Sequence, residues 1–281
     1  MQFEFPWALG PPDGRYIVRD PGDGATTHVL QLATLGAPER RRLRGRRGRE
    51  AAPEPEPTPV VTARVTVIEA TPVSPDEAAA SLQAADPATA ELALAPLSRA
   101  VRAYRLASGD PHVHEPALSQ ALVIRAGYGA GEQVAVGRWM EARELASSSE
   151  GRQRRRTILH PHERLAALLG GHARPLACEE LALRARHDLD HDQLREAALQ
   201  LRVAFDAALA ELPVEAQELG SAAFAERIAT LADDHTTVVA LADAALGGVL
   251  PPNASETLGA ALGRLEAALR ARSAAQSNPR L

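Results

Sequence analysis

Residues 187–192 read HDLDHD and place two histidines and three aspartates within six consecutive positions. Imidazole and carboxylate groups are suitable protein ligands for zinc, manganese and iron. Two other segments, DPHVHEP at 110–116 and LHPHERL at 159–165, each contain the pattern His-x-His-Glu. If the three segments met in the folded chain, they could form a transition-metal site.

Local structure gives the two His-x-His-Glu segments a simpler interpretation. Pro116 and Pro161 suit the first turn of a helix, where Glu115 and Glu163 would lie near the positive end of the helix dipole. Alternate residues of a helix point about 200° apart, so a His-x-His pair within a helix chelates a metal poorly. Both segments are therefore expected at helix starts, where their role is structural.

The residues that follow HDLDHD exclude a calcium loop of the EF-hand type. Asp188, Asp190 and Asp192 match its ligand positions 1, 3 and 5. Position 6, which needs glycine for the turn, is Gln193, and position 12, which needs a bidentate glutamate, is Leu199.

The order of histidines and aspartates is similar to that of the HD-domain phosphohydrolases, an all-helical family. Its metal ligands are a His, then a His-Asp pair, then a distant Asp. The flanking residues differ from the family pattern, because ALRAR precedes the pair at 187–188 and LD follows it. The resemblance implies an alternative function, a metal-dependent hydrolase with a divalent transition metal. Its candidate ligands are His160, His162, His187, Asp188, His191 and Asp234.

A helical hairpin is the favoured interpretation of HDLDHD. The preceding PLACEELALRAR and the following DQLREAAL both have helical patterns. Asp190 or Asp192 is expected to cap the second helix by accepting hydrogen bonds from its free amides, with the histidines largely exposed.

The composition excludes several kinds of chemistry. All 31 basic residues are arginine, so Schiff-base catalysis, a phosphate-loop lysine and a lysine general base are ruled out. Cys178 is the single cysteine, which excludes an intrachain disulfide and a multi-cysteine metal site. It lies on a predicted apolar helix face and is expected to be a buried structural thiol.

Two arginine-rich segments interrupt a chain that is otherwise acidic. They lie at 39–50 and 151–156, and arginine can bind phosphate or carboxylate groups through paired hydrogen bonds. Neither contains aromatic residues for stacking on bases. The candidate polyanion contacts are Arg40, Arg41, Arg42, Arg44, Arg46, Arg47, Arg49, Arg152, Arg154, Arg155 and Arg156.

A glycine-rich stretch, AGYGAGEQVAVGRW at 126–139, could bring backbone amides to a phosphate after a strand in ALVIR. It lacks the dinucleotide spacing and a following lysine. An interruption between helices, with Tyr128 and Trp139 as apolar anchors, is the favoured interpretation.

The elements that would position these residues predict a mainly α protein. Only 3% of the residues are aromatic, while alanine and leucine are abundant, which suits closely packed helices. An N-terminal β-hairpin with one further strand should precede a multi-helix body of helical hairpins in two lobes. Phe3, Phe5 and Trp7 are expected to cover one face of the hairpin. SPDE is a capping-box pattern, with Ser74 as the cap of the first helix and Glu77 at its third position. Apolar residues spaced three or four apart predict buried helix faces at Leu94, Leu97, Val101 and Tyr104, at Leu194, Ala198, Leu201, Phe205, Ala208 and Leu212, along a row from Phe224 to Val249 that forms one helix or two, and at Leu258, Leu262, Leu265 and Leu269. The predicted segments are a hairpin element (1–36), an Arg- and Pro-rich linker (37–59), a strand with the first helical lobe (60–146), a basic connector (147–158), the second helical lobe (159–272) and a disordered tail (273–281).

The sequence predicts a cytoplasmic, non-enzymatic interaction or scaffold protein. No signal peptide and no apolar run of about 18 residues is evident, so a soluble protein without a membrane span is expected. Another protein is the expected partner, and RNA or DNA could bind through the arginine segments. No cofactor is expected, and the sequence indicates no oligomeric state.

Overall fold

The computed structural model describes residues 1–20, 22–36, 61–146 and 161–277, the main chain alone being described at 161–163. The chain divides into two compact units, Met1–Glu150 and Gly151–Leu281. The predicted linker (37–59), the basic connector (147–158) and all eleven candidate polyanion-contact arginines lie outside the described residues. These predictions therefore stay predictions.

The first unit contains a six-stranded antiparallel sheet in the order β2-β3-β4-β1-β5-β6. Its strands are β1 (Gln2–Phe5), β2 (Gly14–Arg19), β3 (Thr26–Leu35), β4 (Thr62–Glu69), β5 (Val123–Tyr128) and β6 (Glu141–Glu144). The predicted hairpin is present as β2 and β3, and the predicted single strand is β4. β4 pairs with β3, with Leu30 opposite Val67 and Leu32 opposite Val65.

The aromatic residues near the amino terminus lie in a central strand of this sheet. The prediction that they cover a face of the hairpin is therefore wrong. β1 pairs with both β4 and β5, so Phe3 lies opposite Val65 on one side and Ile124 on the other. Phe3 and Phe5 are fully buried, with ring centroids 6.4 Å apart. A strand of four residues is too short for its alternation to be read with certainty, and its pairing partners are distant in the chain.

Two helices cover the face of the sheet that carries Phe3 and Phe5. They are α1 (Pro75–Ala84) and α2 (Pro87–Ser108). The predicted capping box is present in α1: the Ser74 hydroxyl accepts from the Glu77 amide, and the Glu77 carboxylate accepts from the Ser74 amide. The predicted buried stripe of α2 joins the core of the sheet through Leu94, Leu97 and Val101.

The segment from 110 to 146 is not helical, and the predicted helical lobe is wrong there. It contains β5, β6 and two short 3-10 turns, at Leu118–Gln120 and Glu132–Val136. Pro116 consequently does not begin an α-helix. The glycine-rich stretch forms the end of β5 and the loop that follows it. Gly127 allows the Trp139 ring to lie directly against the strand, since a Cβ at this position would overlap the ring. The β-branched residues of ALVIR were the signal for a strand.

The second unit is helical throughout its described elements. They are α3 (Pro161–Leu169), α4 (Ala177–Asp190), α5 (Leu194–Leu219), α6 (Ala222–Leu246) and α7 (Ala254–Ser277). The predicted stripes of α5 and α7 are buried, for example Leu201 and Phe205 in α5 and Leu258 and Leu265 in α7. Alanines between them let the helices pack closely.

The ends of the last two helices differ from the predictions or make them more exact. The row from 224 to 249, which could have been one helix or two, is a single helix as far as Leu246. The last helix continues to Ser277, so the predicted disordered tail from 273 is wrong up to that residue. Gln276 is held there by hydrogen bonds with Arg164 (2.9 Å) and Glu215 (3.3 Å).

None of the helices in the described parts of the chain is long and apolar enough to cross a membrane.

Candidate functional site

Strand β2 forms one edge of the sheet in the first unit, and no other strand of the described residues pairs with its outer side. The carbonyls of Gly14 and Val18 accept hydrogen bonds from side chains of β3, each at 3.2 Å. Because the direction of backbone groups alternates along an antiparallel strand, the amide and carbonyl of Arg15 and Ile17 face away from β3. Within the described residues, no further backbone hydrogen bond is made by either of them. Ile17 is 59% exposed.

A groove of about 440 Å³ runs between β2 and α2. This volume is within the usual range of ligand pockets, about 300–1,000 Å³. The groove is open on the side of α2 because the residues there have small side chains: Ala103 and Ala107 lie exposed on one face of the helix. The apolar lining comes from Tyr16, Val18, Ala100, Ala103, Tyr104 and Ala107.

The charged residues that line this groove are both arginines. Arg99 of α2 donates a hydrogen bond to the carbonyl of Arg19 at 2.6 Å and so connects the helix to the end of β2. His28, on the neighbouring β3, adds little positive charge: burial lowers its pKa, which the carboxylate of Glu69 opposes and the charge of Arg99 reinforces. The groove is therefore apolar along its length and cationic at one end.

The groove was not predicted from the sequence. Its signal was present as a spacing of 3 and 4 between Ala100, Ala103 and Ala107, which predicts a helix face with room above it. That this face lies beside the sheet edge depends on tertiary structure alone.

The HDLDHD stretch closes a helical hairpin, as predicted, but by another local mechanism. Helix α4 runs through it to Asp190, and the amides of Asp192 and Gln193 donate back to the carbonyls of Leu189 (3.1 Å) and Asp188 (2.8 Å). These two bonds form a Schellman motif, with Asp192 in the left-handed conformation at φ 56°. The predicted N-cap role of Asp190 or Asp192 is wrong, because the N-cap residue of α5 is Gln193, whose side chain makes no capping hydrogen bond to the helix.

The structure brings together only two of the candidate metal ligands within the residues it describes. The rings of His187 and His191 lie on one side of α4, with centroids 4.2 Å apart. Asp188 precedes the end of the same helix and its carbonyl serves the Schellman motif. The carboxylate of Asp234 accepts hydrogen bonds from Nε and Nη2 of Arg264, and the bond from Nη2 is 2.8 Å long. His160 and the side chain of His162 lie outside the described residues.

Cys178 is fully buried at the start of α4, in agreement with the predicted structural thiol. Burial raises the pKa of this thiol strongly, and the carboxylate of Glu211 raises it further. A thiol of this kind is protonated at neutral pH and is a poor nucleophile.

A buried ionic network near Cys178 was also missed by sequence analysis. Arg272 is 1% exposed and donates to Glu215 at 2.9 Å, to Glu179 at 3.0 Å and to the carbonyl of Arg174 at 3.4 Å. Glu179 also accepts from Arg164 at 2.8 Å. The sequence contained a signal that Arg272 is buried. The buried leucines of α7 follow one another at spacings of 4, 3 and 4, and Arg272 lies three positions after the last of them, on the same helix face.

No protein-family model matches the chain, and no curated protein or solved structure matches it either.

Proposed function

We propose that the first unit binds an extended segment of a partner protein, which adds as a strand to the free edge of β2. The observation that carries the proposal is the groove between β2 and α2 beside outward-facing backbone groups of Arg15 and Ile17. In this mode of recognition, backbone hydrogen bonds to the edge provide affinity, and pockets for alternate side chains provide specificity. The groove and this edge are the surface that we propose for the interaction function predicted from the sequence.

The side chains along β2 define the peptide that fits. Alternate residues of an added strand would point into the groove, against Tyr16, Val18 and the alanines of α2. The other residues would lie on the opposite face, beside the exposed Arg15, and the strand would end near Arg19, which lines the groove. We therefore propose a strand with apolar residues alternating with aspartate or glutamate.

The same charges disfavour pairing of β2 with a second copy of this chain. Exposed charges and irregular pairing are two devices that protect sheet edges from self-association: β2 carries exposed arginines, and its register with β3 shifts between Val18 and Arg19. Like charges opposite each other across a strand pair are destabilising, whereas opposite charges stabilise the pair. An acidic strand satisfies this edge, and a second β2 does not.

The arginine-rich segments at 39–50 and 151–156 are proposed to add a long-range attraction for the same acidic partner. Metal-dependent hydrolysis, the alternative from the sequence, is disfavoured, because Asp234 is paired with Arg264 and the described residues of the second unit supply no third ligand to His187 and His191.

The test begins with selection of displayed random decapeptides on the full chain. The selected peptides should alternate apolar and acidic residues, and a fluorescent copy should bind with a Kd that the variant Ile17→Pro raises at least about tenfold. Proline removes the outward amide of Ile17 without removing a hydrogen bond to β3, so the sheet should stay intact. Deleting 39–50 and 151–156 should reduce the salt dependence of this binding.

Two further variants test whether binding depends on the backbone amide of Ile17 and on the charge of Arg15. Ile17→Thr keeps the backbone amide and should bind within about threefold of the wild type, whereas Arg15→Glu should weaken acidic peptides and select basic ones. Selection of no peptide, or binding that Ile17→Pro leaves unchanged, would contradict the proposal. Sedimentation that shows a dimer which Ile17→Pro dissociates would identify a second copy as the occupant and overturn it.

A further inference from the structure

We propose that His187 and His191 form a two-histidine binding site for a divalent transition metal, with Zn²⁺, Ni²⁺ and Cu²⁺ as the ions that it takes. This site lies in the second unit, at the carboxyl end of α4, and is independent of the groove. The two residues are four positions apart, which places them on the same face of the helix, one turn from each other.

The distances between the two rings suit a single ion. Their centroids are 4.2 Å apart at an interplanar angle of 42°, and each ring offers a nitrogen within 4.8 Å of one on the other. Two nitrogens bound at about 2.0–2.1 Å to a tetrahedral ion lie about 3.3 Å from each other. Small rotations of the half-exposed side chains are sufficient to reach that separation.

The tautomer of His191 is fixed in the form that a metal needs. Its Nδ1 lies 2.7 Å from the carbonyl of His187, and a carbonyl can only accept a hydrogen bond. Nδ1 therefore carries the proton, and Nε2 has the lone pair. Metal-bound histidines commonly show this arrangement, in which the second ring nitrogen donates to a backbone carbonyl and orients the ring.

The surroundings favour a cation. The carboxyl end of a helix has a partial negative charge, and the three aspartates of HDLDHD add carboxylates in the same turn. The nearest cation along the helix, Arg186, is paired with Glu266 at 2.9 Å and with Asp190 at 3.7 Å. Imidazole ligands select zinc, nickel and copper over calcium and magnesium, which prefer oxygen.

The experiment uses the full chain without an affinity tag, treated with chelator and titrated with Ni²⁺ or Cu²⁺. Paramagnetic broadening of amide signals in NMR spectra should centre on residues 187–193, and Zn²⁺ should compete for the site. Because two tethered ligands bind far more tightly than one, His187→Ala and His191→Ala should each raise the Kd by about 100-fold.

The variants also distinguish a chelate from two separate sites. The double variant should lose no more affinity than either single variant, because one remaining histidine no longer chelates. His172→Ala removes an exposed histidine of the same unit and should leave the Kd unchanged. Broadening centred elsewhere, or binding retained by His191→Ala with an otherwise native spectrum, would overturn the proposal.

Discussion

At the scale of single residues, Asp192 has a backbone conformation that its residue type does not predict. It is the one residue other than glycine with a positive φ among those that the structure describes. Glycine is the usual residue at this position of a Schellman motif, since a side chain makes the left-handed conformation unfavourable. Aspartate tolerates it better than most other residues. HDLDHD thus contains a helix end whose sequence differs from the common one.

Asp192→Gly should therefore stabilise the protein. We expect the free energy of unfolding in urea to rise by about 0.5–1 kcal/mol, because glycine adopts the left-handed conformation without a steric cost. Asp192→Ala is the matched control: it also removes the carboxylate, but it keeps the steric cost and should not stabilise. Equal effects of the two substitutions would show that the charge of Asp192, and not its backbone, sets the energy.

At the scale of elements, α4 is capped by a neighbouring helix. Its N-cap residue, Leu176, has no side-chain group for the free amides. The carboxylate of Glu211 in α5 accepts instead, from the amides of Ala177 at 3.0 Å and Cys178 at 3.1 Å. An anion at this end also interacts favourably with the helix dipole. The contact joins the start of one helix to the middle of the next.

This cap predicts a specific loss of stability in acid. Burial by itself would raise the pKa of Glu211, but the hydrogen bonds from the Cys178 and Ala177 amides outweigh it and lower the pKa below its ordinary value of 4.5. A lowered pKa in the folded state means that the contribution of Glu211 is complete above about pH 4.5 and is lost as the pH falls through the folded-state value.

The measurement is the free energy of unfolding of wild type and Glu211→Gln between pH 7 and pH 3. The wild type should be more stable at pH 7, and the difference should shrink below about pH 4.5 as the carboxylate is protonated. Glu218→Gln, an exposed position of the same helix, controls for the loss of one negative charge. A difference between wild type and Glu211→Gln that is constant with pH would contradict the capping role.

At the scale of the whole molecule, arginine takes the place of lysine in the ion pairs, since the chain contains no lysine. The planar guanidinium can donate to several acceptors at once, which a lysine ammonium does less well. Arg272 uses this property, since its three nitrogens reach two carboxylates and a carbonyl from a buried position in α7. Through these bonds and Glu179, it connects α4, α5 and α7 in the second unit.

Replacing this arginine should be costly. Arg272→Met leaves Glu179 and Glu215 close together without their shared cation, and we expect the free energy of unfolding to fall by about 3–5 kcal/mol. Arg270→Met, an exposed position of the same helix, should cost less than about 1 kcal/mol. Arg272→Met with Glu179→Gln and Glu215→Gln should recover part of the loss. A cost for Arg272→Met no larger than that of Arg270→Met would show that the network contributes little.

Hydrogen bonds and apolar spacing within a few residues were sufficient to predict much of the fold. Groups close together in the sequence were enough to predict four features: the capping box at Ser74, the β2–β3 hairpin, strand β4 and the leucine stripes of α5 and α7. The exclusion of lysine chemistry and of an intrachain disulfide also follows from the sequence by itself, because it needs only a count of residues.

Tertiary structure alone decided the features that depend on distant partners. β1 is a strand because residues about 60 and 120 positions away pair with its two edges, and the groove exists because α2 lies beside the open edge of β2. Arg272 is buried because two carboxylates from other helices compensate its charge. Such contacts lower the free energy only once the chain has folded, so no short stretch of sequence contains the information that predicts them.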